Sequence, residues 1–98
     1  MTHTVHSEQI YIAASHPALP GHFPGQPVVP AVVLLDRLAA ALERVRGARV
    51  AGFTQVKFLR PLLPGQSAQL SIEGAHEVRF RVTIGAELLV SGSAELCV

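Results

Sequence analysis

The chain has 98 residues, a length typical of one domain, and we expect a single domain over residues 1–98. With 49% hydrophobic and only 15% charged residues the composition excludes a disordered chain, and the net charge of +1 excludes a strongly basic nucleic-acid-binding protein. So few charges on so small a domain predict that a second subunit covers part of the apolar surface.

The first residues, MTHTVHSEQI, lack the basic and apolar regions of a signal peptide. Because the longest apolar run, residues 28–35, is also too short to span a bilayer, we expect a soluble cytoplasmic protein. The next stretch, Gln9–Ala14, carries Ile10 and Ile12 on one face and predicts the first strand. A loop rich in proline and glycine, residues 15–29, follows it.

From Pro30 the apolar residues change to helical spacing. The fixed φ of Pro30 suits the first helical position, and Gly47 is a natural stop after a last turn that contains Arg44 and Arg46. Since the first two turns are apolar nearly all round, we expect other structure to surround this helix. The apolar stripe consists of Leu34, Leu35, Leu38, Ala41, Leu42 and Val45.

After Gly47 the period is two, which predicts strands. Inward rows are expected at Val56 and Phe58, then at Ala68, Leu70 and Ile72, then at Val78, Phe80, Val82 and Ile84, and last at Leu88, Val90, Ala94, Leu96 and Val98. Closely spaced alternating strands indicate an antiparallel sheet with one dry face. One apolar helix with about five such strands predicts an α+β fold whose sheet curls round the helix, with a second copy as the remaining cover.

Three features are candidates for chemistry. His22 lies in a loop that Gly21, Pro24 and Pro27 stiffen, which suits a positioned general base but equally a histidine that caps a backbone carbonyl. Asp36 interrupts the apolar part of the helix, where a carboxylate in an apolar setting is expected unless Arg37 or Arg44 pairs with it on an exposed stripe.

The third candidate is the start of the helix. The N–H groups of Ala31 and Val32 have no intrahelical acceptor and can polarise a carbonyl oxygen, although every helix has such an end. No set of histidine, cysteine and carboxylate residues has metal-ligand spacing, and Cys97 stands alone, which favours a reducing compartment. Lys57, Arg60, Arg79 and Arg81 on the strands form either a solvated face or a docking site for an acidic carrier protein.

The stretch GHFPGQPVVPAVVLLD, residues 21–36, resembles the central motif of the β-hydroxyacyl-acyl-carrier-protein dehydratases. Residues 56–73, VKFLRPLLPGQSAQLSIE, are similar to a strand–turn–strand segment of that family, and the final strand is a weaker match. The resemblance implies the hot-dog fold, an antiparallel sheet wrapped around one central helix. It also implies dimers in which one subunit supplies the histidine of each site and the other subunit supplies the carboxylate.

By that resemblance His22 is the catalytic histidine and Asp36 the catalytic carboxylate, while the Ala31 N–H binds the thioester oxygen. The implied reaction is dehydration of a (3R)-hydroxyacyl thioester on acyl carrier protein to the trans-2-enoyl product, with no metal or redox cofactor. The resemblance also assigns substrate-binding positions to Phe23, Gly25 and Val28.

Two departures from the family pattern keep other functions open. Ala31 stands where the family usually has glycine, and the short chain resembles the accessory dehydratases of aryl-polyene or related clusters, which implies a homodimer or a heterodimer with another hot-dog subunit. The alternatives are a non-catalytic subunit of a heterodimeric dehydratase and a hot-dog acyl thioesterase.

Overall fold

The computed structural model describes residues 5–13, 28–75 and 77–97, in which one helix lies against one antiparallel sheet. The elements are β1 (Val5–Tyr11), α1 (Ala31–Arg46), β2 (Val50–Phe58), β3 (Ser67–Glu73), β4 (Glu77–Ile84) and β5 (Glu87–Leu96). The strands are ordered β1-β3-β4-β5-β2, so that β1 and β2 form the two edges of the sheet. The expected α+β architecture is confirmed.

Helix α1 begins and ends where the sequence pattern predicts. Pro30 is the N-cap, one position before the first helical turn, and its extended backbone (φ −60°, ψ 146°) leads the chain into the helix. Gly47 ends the helix in the left-handed conformation at φ 68°, and its N–H donates to the Glu43 carbonyl oxygen at 2.8 Å. Arg44 and Arg46 lie in the last turn, where positive charge favours the helix dipole.

The core lies between one face of α1 and the inner face of the sheet. The buried helix residues are Leu34, Leu38, Ala41 and Leu42, whereas Val32 is 72% exposed. The sheet of this chain therefore covers one side of the helix, and the expectation that a second copy covers the other side stays a prediction. The sheet contributes Ile10, Ala68, Leu70, Ile72, Val78, Phe80, Val82, Leu89, Val90 and Ala94 to the core. Among the described residues no helix combines the length and the hydropathy needed to cross a membrane.

Strand β1 runs from Val5 to Tyr11, earlier than the predicted Gln9–Ala14, because it pairs along its whole length with β3. Two arginines of α1 hold this edge strand. Arg37 donates to the Tyr11 carbonyl oxygen at 2.9 Å, and Arg44 forms an ion pair with Glu8 at 2.6 Å. Long side chains thus bridge the gap between the helix and the edge of the sheet.

Irregularities in β2 and in β5 interrupt the strand pairing, and the one in β5 corrects a predicted inward row. Gln55 and Val56 together lie opposite Gly92, and Gln55 has a positive φ of 54°, a conformation that L-residues other than glycine rarely adopt. Past this bulge Phe58 extends beyond the core and is 46% exposed. In β5 an irregularity after the turn leaves Leu88 half-buried opposite Thr83 and buries Leu89 instead. Val98 lies outside the described residues.

Gly92 allows the bulged strand to approach the core. A Cβ atom built on Gly92 would lie 2.9 Å from the ring of Phe80 and 3.1 Å from the Cα atom of Val56. Phe80 cannot easily withdraw, because it is buried and packs edge-on against Phe53 with ring centroids 5.8 Å apart.

We therefore expect Gly92→Ala to lower the free energy of unfolding by about 1–3 kcal/mol, the usual effect of overpacking. Gly52→Ala on the same strand pair is the matched control, because a Cβ there meets no atom within 4 Å. Urea unfolding of both variants measures the difference. Equal stability of the two variants would contradict the packing argument.

The second stability prediction concerns pH. Partial burial alone would raise the pKa of Glu8, but hydrogen bonds from His6 (2.7 Å) and Arg44 (2.6 Å), with the charges of both groups, together lower the pKa below its ordinary value of 4.5. A carboxyl group whose pKa falls on folding stabilises the fold above its unfolded pKa and loses that contribution as the pH falls through the folded pKa.

We expect Glu8→Gln to be less stable than the wild type near neutral pH and the difference to shrink on acidification below pH 4.5. Unfolding curves of both proteins from about pH 7 to about pH 3 measure this convergence. A stability difference that is constant over the whole range would show that the Glu8 contacts contribute no ionic stabilisation.

Candidate functional site

The start of α1 is open to a ligand. Pro30 offers no side-chain cap, the first turn contains no acidic residue, and the Pro30 carbonyl accepts the N–H groups of Val33 and Leu34 at 3.0 and 3.1 Å. The N–H groups of Ala31 and Val32 have no acceptor among the described residues. Two unpaired donors at the positive end of the helix dipole can stabilise negative charge on an oxygen atom.

A pocket of about 270 Å³ adjoins these donors and is mainly apolar. Its wall is held in place by backbone hydrogen bonds, from the Val29 N–H to the Leu62 carbonyl at 2.8 Å and from the Leu59 N–H to the Leu89 carbonyl at 2.7 Å. Such a pocket beside a polar helix end suits an acyl group whose carbonyl meets the free N–H groups. The lining residues are Val29, Ala31, Leu34, Phe58, Leu59, Arg60, Pro61 and Leu62.

Asp36 does not lie in the apolar setting that its sequence neighbours suggest. It is exposed, as is Val32 one helical turn before it, because both residues project from the side of α1 that the sheet leaves uncovered. The expected alternative, a pair with Arg37 or Arg44, does not occur either, since these arginines contact Tyr11 and Glu8. The carboxylate has no ion-pair partner among the described residues.

Asp36 also points away from the pocket at the helix start. It lies five positions after Ala31, which corresponds to about 7.5 Å along the helix axis and about 140° around it. Leu34 and Ala31 line the pocket and Asp36 does not. Within one chain the predicted carboxylate and the predicted oxyanion-binding N–H therefore lie on different surfaces.

The other predicted site residues lie at or beyond the limit of the described chain. His22, Phe23 and Gly25 fall outside the described residues, so their roles remain predictions. Val28 is described and half-buried, but it does not line the pocket, which its neighbour Val29 does.

Sequence reasoning missed the far wall of the pocket. Phe58 and Leu59 line it and are 46% and 54% exposed, and Arg60 at the rim forms an ion pair with Glu87 at 3.2 Å. The signal available in the sequence was the break in alternation after Phe58, where two large apolar residues stand side by side. Among the described residues no three histidine, cysteine or carboxylate side chains form a possible metal site, and Cys97 is exposed.

Comparison with known proteins gives a consistent result. Residues 2–93 match the ApeI-like family, described as ApeI dehydratase. The chain is 33% identical over 91 residues to a 3-hydroxyacyl-[acyl-carrier-protein] dehydratase FabZ of Haemophilus influenzae, a match covering 83% of this chain and 62% of the relative. A FabZ of Mannheimia succiniciproducens is 35% identical over 78 residues, 69% of this chain and 52% of the relative. The chain thus spans between half and two thirds of the length of these curated relatives.

Solved structures agree with the sequence comparison. The dehydratase heterocomplex ApeI:P from Xenorhabdus doucetiae matches with a TM-score of 0.80 and 26% identity over 100% of both chains. An uncharacterized protein from Erwinia carotovora shares the fold at a TM-score of 0.78 and 21% identity, covering 97% of this chain and 84% of that one. With the five-stranded antiparallel sheet and single helix, these matches confirm the hot-dog fold.

Proposed function

Because the chain belongs to the ApeI-like dehydratase family, we propose that it removes water from a (3R)-hydroxyacyl thioester on acyl carrier protein to give the trans-2-enoyl thioester. The observation that carries this proposal is the pair of unpaired N–H groups at the start of α1 beside an apolar pocket. The setting we propose is cytoplasmic synthesis of a fatty-acid-like or polyene chain.

The proposed chemistry follows from what the residue types can do. His22 takes the proton from C2 of the substrate, and negative charge moves onto the thioester oxygen, where the Ala31 N–H stabilises it. As the charge returns, the C3–O bond breaks and the hydroxyl group leaves as water with a proton from Asp36. The acyl chain occupies the apolar pocket beside Ala31.

Such a site requires a second subunit. Asp36 faces away from the pocket of its own chain, and Val32 beside it is 72% exposed, so a second hot-dog subunit seated on this face would bring the carboxylate to the partner's pocket. The ApeI:P relative is named as a heterocomplex, which supports a hot-dog subunit as the partner. The proposed assembly is a homodimer or a heterodimer of this kind.

The second candidate function is a non-catalytic subunit of a heterodimeric dehydratase. The heterocomplex relative favours it, and a carboxylate supplied to a partner's pocket is useful even when the chain's own pocket performs no chemistry. In that case this chain contributes Asp36 to the partner's site, and no reaction takes place in its own pocket.

One kinetic comparison tests these functions. We expect His22→Ala and Asp36→Asn each to lower the dehydration rate of a 3-hydroxyacyl carrier protein by about 100-fold or more, as for removal of a general base or acid. Enoyl product is followed with the chain alone and with its hot-dog partner, and free carrier thiol is followed to detect hydrolysis.

The pattern of losses distinguishes the outcomes. Loss of dehydration activity in both variants supports the dehydratase. Loss of activity in Asp36→Asn with full activity in His22→Ala supports the non-catalytic subunit, which supplies only a carboxylate to its partner. Hydrolysis without enoyl product, or no product from the wild-type assembly, would refute the dehydratase.

The assembly itself gives a separate prediction. We expect Val32→Glu to raise the dissociation constant of the subunit complex about tenfold or more, because it places a charge on the surface that the proposed association dehydrates. Val5→Glu is the matched control, since Val5 is 61% exposed on the opposite face of the sheet. Light scattering over a range of concentrations measures both variants, and equal association of the two would argue against this interface.

A further inference from the structure

The outer face of the sheet, which points away from α1, contains a trough of about 940 Å³. Its floor consists of the small side chains Ser71, Ser91 and Ser93, and longer side chains rise around them. The registers explain this shape, because Lys57, Ser91, Arg81 and Ser71 lie directly opposite one another in one row across four strands. Small and large side chains alternate along that row.

The trough is positively charged. Among the described residues that line it are three cations, Lys57, Arg79 and Arg81, and one carboxylate, Glu73, which lies 3.9 Å from Arg79. Neither Lys57 nor Arg81 has an ion-pair partner among the described residues, and both are exposed.

The remaining acidic residues of this face lie at one end of it. Glu77 and Glu95 stand directly opposite each other on β4 and β5, and both are exposed. The outer face therefore has a basic end around Lys57 and Arg81 and an acidic end around this pair. A ligand with negative charge is attracted to the first end and repelled from the second.

The spacing of the cations suits a helix. Lys57 and Arg81 are two strands apart, which is about 9.6 Å at the usual strand separation. Carboxylates seven residues apart on one helix face are separated by about 10.5 Å, and a helix with its side chains is about 10 Å wide. A helix that crosses the strands along the serine row can thus place one carboxylate at each cation.

We propose that this trough binds the acidic helix of the acyl carrier protein that delivers the substrate. The inference rests on the proposed function, which makes an acidic, helical carrier protein the partner. A second copy of this chain fits less well. Two faces with their basic ends together would bring positive charge to positive charge. A copy turned end for end would offer Glu77 and Glu95, which lie on adjacent strands about 4.8 Å apart and do not match the two-strand spacing of the cations.

The trough also lies close to the pocket. Lys57 and Phe58 are consecutive residues of β2 on opposite faces of the sheet, one at the trough and the other at the pocket beside Ala31. A carrier held at Lys57 can pass its thioester arm round the end of β2, past Leu59, to the open helix start. The docking surface and the proposed catalytic pocket would then be adjacent at this end of β2.

The test compares Arg81→Glu with Arg49→Glu, an exposed arginine outside the trough that gives the same change in net charge. Binding of a fluorescent 3-hydroxyacyl carrier protein is titrated by anisotropy against the wild-type assembly and each variant. The same acyl group on pantetheine, which lacks the carrier, is used as a turnover substrate.

We expect Arg81→Glu to weaken carrier binding about tenfold or more and Arg49→Glu to change it less than about twofold, with wild-type binding falling as salt rises. Turnover of the pantetheine thioester should be equal in all three proteins. Wild-type carrier binding by Arg81→Glu would overturn the docking site, and so would a change of assembly mass in that variant, which indicates a second copy in the trough. Absence of any turnover counts against the proposed function and leaves the binding result to decide the docking site.

Discussion

A single apolar helix against a single small sheet is the constraint on which the rest of this molecule depends. The sheet buries Leu34, Leu38, Ala41 and Leu42 on one side of α1, and in the part of the chain that the structure describes no further strand folds over the other side. Val32 and Asp36 lie on that other side and are exposed. Because apolar area exposed to water is unfavourable, the uncovered side of α1 favours association with another subunit.

The periodic parts of the fold were predictable from the sequence. The helix bounds at Pro30 and Gly47 and the buried rows of β3 and β4 follow from local residue spacing, which the sequence contains directly. The bulge at Gln55 and the irregularity at Leu88 were not predictable, because an inserted residue shifts the inward side chains without changing the alternation visible on either side.

The site was predictable only in part, for a different reason. The open helix start beside Ala31 follows from the proline N-cap, and it is present in the structure. The burial of Asp36 was predicted wrongly because its sequence neighbours are apolar, whereas the sheet packs against the other side of the helix. Sequence spacing describes the faces of a helix but does not state which molecule packs against each face.

The bulge at Gln55 connects the two surfaces on which the proposals depend. By placing two residues opposite Gly92, it resets the alternation of β2 so that Lys57 projects to the outer face and Phe58 to the pocket. Without the inserted residue the two side chains would exchange faces, with the charge at the pocket and the aromatic ring at the trough. The strained backbone of Gln55 is thus the local condition for a basic outer face and an apolar pocket at one strand end.

The exposure of Asp36 limits which second subunits can associate favourably on this face of α1. An exposed carboxylate costs the folded chain little, so stability of the isolated chain neither requires nor opposes it. A subunit that covers Val32 also removes water from Asp36, and a buried charge without a partner is strongly unfavourable. Association on this face is therefore favourable only where the partner's pocket offers the carboxylate a hydrogen-bond donor or lets it hold a proton. A hydrogen-bond donor favours the ionised carboxylate, whereas an apolar surface without one favours the protonated form that a general acid needs.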